Sequence, residues 1–190
     1  MAVVHNTVMV TDPKHFPAKT GVARTPGAAS AATHKATELM PGDVALGLAG
    51  DEMRTLLGSC VSVILTDPRR TVGAMCHIVH VGQPNAANRH NTAYAEVAMG
   101  EMFARLQAVG IAAQRCQAYV YGGGNMFPGI VSGPSVGDRN AQWVLDFLAD
   151  HGIEVVEHSL GGASYRKLSW TVGRAAPMVE NVAIEQGGFE

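Results

Sequence analysis

The stretch from Cys60 to Val81 leaves this chain little conformational choice. Residues 60–66, Cys-Val-Ser-Val-Ile-Leu-Thr, are rich in β-branched side chains, whose restricted χ1 suits a pleated strand better than a helix. Residues 73–81, Gly-Ala-Met-Cys-His-Ile-Val-His-Val, form a second apolar run. Between them, Asp67-Pro68-Arg69-Arg70 has turn chemistry, with Pro68 suited to the second position of a β-turn. The two runs therefore read as an antiparallel hairpin. A turn centred between Pro68 and Arg69 places Cys60 directly opposite His77, with Cβ atoms ~4.5–5.5 Å apart. Strand side chains alternate faces, so Cys76 and His80 then point away from His77. A slip of one residue would reverse that assignment.

Downstream the period changes. Apolar residues at 94, 98, 102, 106 and 109 have helical spacing, opened by Asn91 or Thr92 and closed by Gly110. A second helix is expected over 138–152, with Ala141, Val144, Leu145 and Leu148 on one face and Gly152 ending it. Residues 116–127 read as a strand running into a glycine turn, and 153–160, 166–172 and 178–184 as three further strands. Strands come first and helices are then inserted between strands, the pattern of an α+β fold with helices covering a mixed sheet. Residues 11–40 are rich in Ala, Thr, Pro and Gly and show no sustained period. Residues 1–40 are accordingly expected to be a mobile tail, with 3–10 as a short strand of unpinned register, and 41–190 to be the folded domain.

Composition narrows the function. Of 190 residues, 47% are hydrophobic and 16% charged, which suits a globular domain with its own core. A net charge of −2 with no basic cluster argues against nucleic-acid binding. The three cysteines, Cys60, Cys76 and Cys116, have no CxxC spacing, which fits a reducing compartment rather than a disulfide framework. No signal peptide and no run of eighteen apolar residues is visible, so the expectation is a cytoplasmic protein without membrane insertion.

Cys60 and His77 admit three readings: a nucleophile with its base, two metal ligands, or two packed core residues. As a dyad they suit acyl transfer, because an imidazole beside a thiol activates it and then protonates the leaving group. Thr55 is the nearest hydroxyl able to orient the imidazole, and Gly58 permits close backbone approach for an oxyanion. A metal set of Cys60, Cys76, His77 and His80 is disfavoured because two of the four point the wrong way. The glycine-rich residues 121–127 and 160–167 lack phosphate-loop spacing and read as turns flanking a cleft.

The segments "LLGSCVSVILTDP" and "GAMCHIVH", followed by "YAEVAMGEMFARLQAVG", "YVYGGGNMF", "VGDRNAQWVLDFLADHGIEVVEHSLGG" and "YRKLSWTV", resemble the chemoreceptor glutamine deamidases, the CheD family, over about residues 40–175 in order. The resemblance implies an α/β sandwich and hydrolysis of glutamine side-chain amides on methyl-accepting chemotaxis receptors to glutamate and ammonia, without a cofactor. It implies Cys60 as nucleophile, His77 as general base and acid, and Thr55 as the orienting residue. It also implies CheC-type phosphatases as partners.

Overall fold

Alternation of side-chain type shapes the strands. Along Glu52–Leu57, Met53, Thr55 and Leu57 are buried while Arg54 and Leu56 are exposed, the period of a sheet covered on one side. Along Val61–Thr66 every residue is buried, which requires cover on both faces. The computed structural model describes residues 33–129 and 133–184; the short strand expected at 3–10 and most of the expected tail lie outside them.

The described elements in chain order are β1 (Ala36–Glu38), β2 (Val44–Leu48), β3 (Glu52–Leu57), β4 (Val61–Thr66), β5 (Val72–Cys76), α1 (Ala95–Ala108), β6 (Gln117–Gly122), α2 (Val136–Asp150), β7 (Glu154–Leu160), β8 (Ser164–Thr171) and β9 (Met178–Ala183). They form two mixed sheets, one ordered β1-β3-β8-β9 and the other β2-β5-β4-β6-β7. Within the first only β1–β3 is parallel, and within the second only β6–β7. The facing surfaces close over Met53, Leu57, Ile64, Met75, Tyr119 and Trp170. On its other face the five-stranded sheet packs Val61, Val63, Leu65 and Cys76 against Ala98, Met99 and Met102 of α1 and Val144 and Leu148 of α2. The result is three layers, sheet on sheet on helices, which is the expected α+β class.

Several boundaries differ from the sequence reading, each for a local reason. Ala36–Glu38 pairs with β3 and Leu39 is buried, so ordered chain begins ahead of Pro41. α1 starts at Ala95, because Asn91 accepts the Ala93 amide and Thr92 donates to the Gly42 carbonyl, which spends both capping candidates on the preceding loop. α2 starts two residues early, at Val136, where Ser135 and Asp138 form a reciprocal capping box. β5 ends at Cys76 rather than Val81, because the His77 amide turns to the Asp43 carbonyl and those of Val79 and His80 to Ala93.

The hairpin register also differs. The Asp67 carboxylate accepts the Thr71 and Val72 amides, and Arg70 takes a left-handed φ of 57°. This organises the longer loop Pro68–Thr71, pairing Thr66 with Gly73 and Val61 with Ile78. Continued one residue outward from the Val61–Ile78 pair, this register would oppose Cys60 to Val79, not to His77. A shift of two keeps every side chain on its original face.

Gly73 lies against the opposing sheet: a Cβ there would lie 2.2 Å from the Trp170 ring, whereas nothing lies within 4 Å of one at Gly100 in α1. Gly73→Ala is therefore expected to lower unfolding free energy by ~1–3 kcal/mol. Gly100→Ala should raise it by up to ~1 kcal/mol. Urea denaturation of the two variants checks both signs.

Candidate active site

Side-chain alternation carries Cys60 and His77 to the same surface. Ile64 on β4 and Met75 on β5 face the opposing sheet, and Cys60 and His77 lie an even number of residues from them. Cys60 packs against this inter-sheet core, while Cys76 and Ile78 face the helices. The two residues thus face the same inter-sheet side, on either side of Val61–Ile78, the last pair before the strands part. Thr55 reaches the same place from the other layer, since β3 turns Met53, Thr55 and Leu57 inward.

The Thr55 Oγ1 lies 2.8 Å from the Leu39 carbonyl oxygen and 2.8 Å from His77 Nδ1. A hydroxyl has one proton, and the carbonyl can only accept. The hydroxyl therefore donates to Leu39 and accepts from Nδ1–H. Proton counting thus fixes the tautomer of the neutral imidazole: Nδ1 carries hydrogen and Nε2 presents a lone pair. Nε2 is buried and has no hydrogen-bond partner among the described residues. A buried acceptor left bare is costly, and such atoms concentrate where chemistry occurs.

Burial pushes the His77 pKa below its ordinary 6.5, with the Leu39 carbonyl and the Asp43 carboxylate pulling weakly the other way. Burial likewise pushes the Cys60 thiol above its ordinary 9.0. Both shifts favour the neutral forms, thiol and imidazole, over a thiolate and an imidazolium. The other two thiols are buried, Cys76 pushed up to about 12 and Cys116 to about 11, which leaves Cys60 as the partly exposed sulfur.

Glycine turns frame Cys60. The Gly123 amide donates to the Cys60 carbonyl and the Gly124 amide to that of Gly58, both at 2.8 Å. At Gly122 a Cβ would lie 2.2 Å from the Cys60 oxygen, so only glycine allows this contact. The second glycine loop joins the first through Gly161 N–H to Gly122 O and Asn125 N–H to Gly162 O. The first loop therefore lies against Cys60 and the second against the first. The Ser59 and Cys60 amides donate to no carbonyl among the described residues.

Two participants escaped the sequence reading. Asn140 of α2, 1% exposed, donates from Nδ2 to the carbonyls of Ser59 and Val79. Arg166 of β8, also buried, donates to Ser159 Oγ and the Gly161 carbonyl and so braces the second glycine loop. A polar residue inside an otherwise amphipathic helix or strand was the available signal for each. Cys60, Cys76, His77 and His80 do not converge: Cys76 faces the helices and His77 the opposing sheet. Among the described residues, no three His, Cys, Asp or Glu side chains come together as a metal site.

A two-sheet α+β protein with helices on one face is the class these features define. The family model described as CheD chemotactic sensory transduction matches residues 80–180, a span that begins just past His77. A probable chemoreceptor glutamine deamidase CheD 2 of Albidiferax ferrireducens is 39% identical over 138 residues, covering 70% of this chain and 80% of its own. Probable chemoreceptor glutamine deamidases CheD of Agrobacterium fabrum and Methanococcus vannielii are 38% and 32% identical over 125 residues each, covering 65% and 66% of this chain and 67% and 81% of theirs. A solved Neisseria meningitidis protein of the DUF152 family aligns with a TM-score of 0.41 at 15% identity, over 68% of this chain and 64% of its own. The chain belongs to the CheD family.

Thr55→Val keeps the shape of residue 55 but removes the acceptor of Nδ1–H and the donor to Leu39. It should cost ~1–3 kcal/mol of stability by orphaning a buried polar group, while Thr55→Ser stays near the parent. Nitrogen NMR of His77 should show the Nδ1–H tautomer in the parent and the serine variant, and a mixture in the valine variant.

Proposed function

We propose that this protein hydrolyses the side-chain amide of glutamines on chemoreceptors, with Cys60 as nucleophile, His77 as proton carrier and Thr55 as the anchor of the imidazole. The observation that carries this reading is the bare, buried Nε2 of His77 on the same inner surface as the partly exposed Cys60 thiol. The names of the relatives supply the substrate class. No described helix is long and apolar enough to cross a membrane, so the receptor is met as a partner rather than as a neighbouring span.

The chemistry follows from the resting protonation states. His77 Nε2 takes the thiol proton as Sγ attacks the glutamine Cδ, so the thiolate forms only as it is consumed. The carbonyl oxygen gains the negative charge, and a backbone N–H beside Cys60 offsets it. The imidazolium then donates its proton to the amide nitrogen, the C–N bond breaks, and ammonia leaves a thioester on Cys60. Water, deprotonated by the same Nε2, attacks the thioester. The C–S bond breaks, the proton returns to Sγ, and a glutamate remains on the receptor. Thr55 keeps Nε2 the basic atom throughout by holding hydrogen on Nδ1.

Mass spectrometry of receptor cytoplasmic fragments tests the reading. The parent should convert selected glutamines to glutamate, and Cys60→Ala should lose more than ~1,000-fold of that activity. Retained deamidation in Cys60→Ala ends this mechanism. The pH dependence follows from the directions of the two shifts. Protonating His77 destroys the base, and its pKa is lowered, so the acid limb of kcat/KM should fall below 6.5. Ionising Cys60 strands the proton needed by ammonia, and its pKa is raised, so the alkaline limb should lie above 9.0. An acid limb above 6.5 or an alkaline limb below 9.0 would contradict these directions.

A further inference from the structure

We infer that Asn140 is a positioning residue for Cys60: its amide holds the fork between the thiol-bearing and imidazole-bearing strands and aims the Cys60 N–H at the oxyanion. The inference deepens the amide-hydrolysis reading and rests on it.

β4 and β5 remain paired as far as Val61 and Ile78, which exchange two hydrogen bonds of 3.0 and 2.8 Å. Beyond that pair the strands part. The Cys60 carbonyl goes to Gly123, and the amides of Val79 and His80 go to the Ala93 carbonyl. An unbroken antiparallel ladder would next have joined Ser59 to His80. In its place, one nitrogen, Asn140 Nδ2, donates to the Ser59 carbonyl at 3.1 Å and to the Val79 carbonyl at 3.1 Å. Its two protons span the gap that opens the sheet at Cys60. One held carbonyl precedes the nucleophile and the other lies two residues beyond the base. The clamp is itself fixed, because α2 approaches the first glycine turn so closely that a Cβ at Gly137 would lie 2.3 Å from the Gly123 oxygen.

The geometry of one peptide unit extends the argument. The Ser59 carbonyl and the Cys60 N–H belong to the same peptide, which is trans, so they point in opposite directions. Asn140 comes from the helix layer. Tethering the Ser59 oxygen toward that layer turns the Cys60 N–H away from it, toward the side on which Cys60 packs. This N–H has no carbonyl partner among the described residues. A carbonyl that accepts a hydrogen bond polarises its peptide and makes the attached N–H a stronger donor. Asparagine suits the task where aspartate does not, since a carboxylate would face two carbonyl oxygens with nothing to donate.

The test compares Asn140→Asp and Asn140→Ala with Leu148→Ala, which destabilises α2 at a buried position outside the fork. On a receptor fragment, both Asn140 variants should lose about tenfold or more in kcat with KM within about twofold, the cost of a sub-ångström misplacement. Leu148→Ala should keep kcat at any temperature where it remains folded. Alkylation of Cys60 by iodoacetamide at pH 7 should slow in the Asn140 variants and not in Leu148→Ala. Equal losses in Leu148→Ala, or parental kcat and alkylation in Asn140→Asp, overturn the inference while leaving the parent's activity in place. A parent that deamidates nothing overturns the functional reading instead, and the alkylation comparison then decides on the clamp alone.

Discussion

The hydrogen-bonded relay from His77 through Thr55 to the Leu39 carbonyl is the interaction on which the rest of the site depends. It crosses from one sheet to the other, so the imidazole is correctly presented only when the two layers are packed. Its cost is a histidine held neutral in the interior with one nitrogen unsatisfied. A core selected for stability alone would fill that position with an apolar side chain. The relay does more than anchor. By consuming the only proton that the hydroxyl has, Leu39 decides which nitrogen of His77 is basic.

The surrounding architecture works to keep Cys60 open at the edge of this otherwise dry interior. β4 is buried along its whole length and β5 nearly so, yet the two separate just where the thiol stands. Glycines at 122 and 124 allow the turn after β6 to come within contact of the Cys60 and Gly58 carbonyls, where any side chain would collide. α2 closes the helix side of the fork. The backbone on either side of the thiol is thus held by the glycine turn and by α2, while the thiol itself stays partly exposed.

Much of this was legible in the sequence, and the exceptions are instructive. The run at 60–66 reads as a strand from its β-branched residues, and the parity of Cys60 and His77 survives because the true register differs from the expected one by two residues. That difference came from Asp67, whose carboxylate caps the loop by accepting two amides; a loop centre is set by such side-chain bonds and not by proline alone. β2 went unrecognised because Val44–Leu48 is short and contains Gly47, and β3 because its alternation is split by the charged Glu52 and Arg54. The division of the strands into two sheets rests on long-range pairing, β3 with β8 above all, which no local pattern reports. Thr55 is suggested by its proximity in sequence to Cys60, yet it reaches His77 from the opposite layer. Asn140 was invisible for the same reason: its partners are 81 and 61 residues away.

The most direct measurement is the pH dependence of Cys60 alkylation in the parent and in His77→Gln. If Nε2 serves the thiol, the parent rate should rise with an inflection below 6.5, where His77 loses its proton, and that inflection should be missing from His77→Gln. Only the rise from ionisation of the thiol itself, above 9.0, should then remain. Superimposable profiles for the two proteins would show that sulfur and imidazole share a surface without sharing a proton, and would contradict the account.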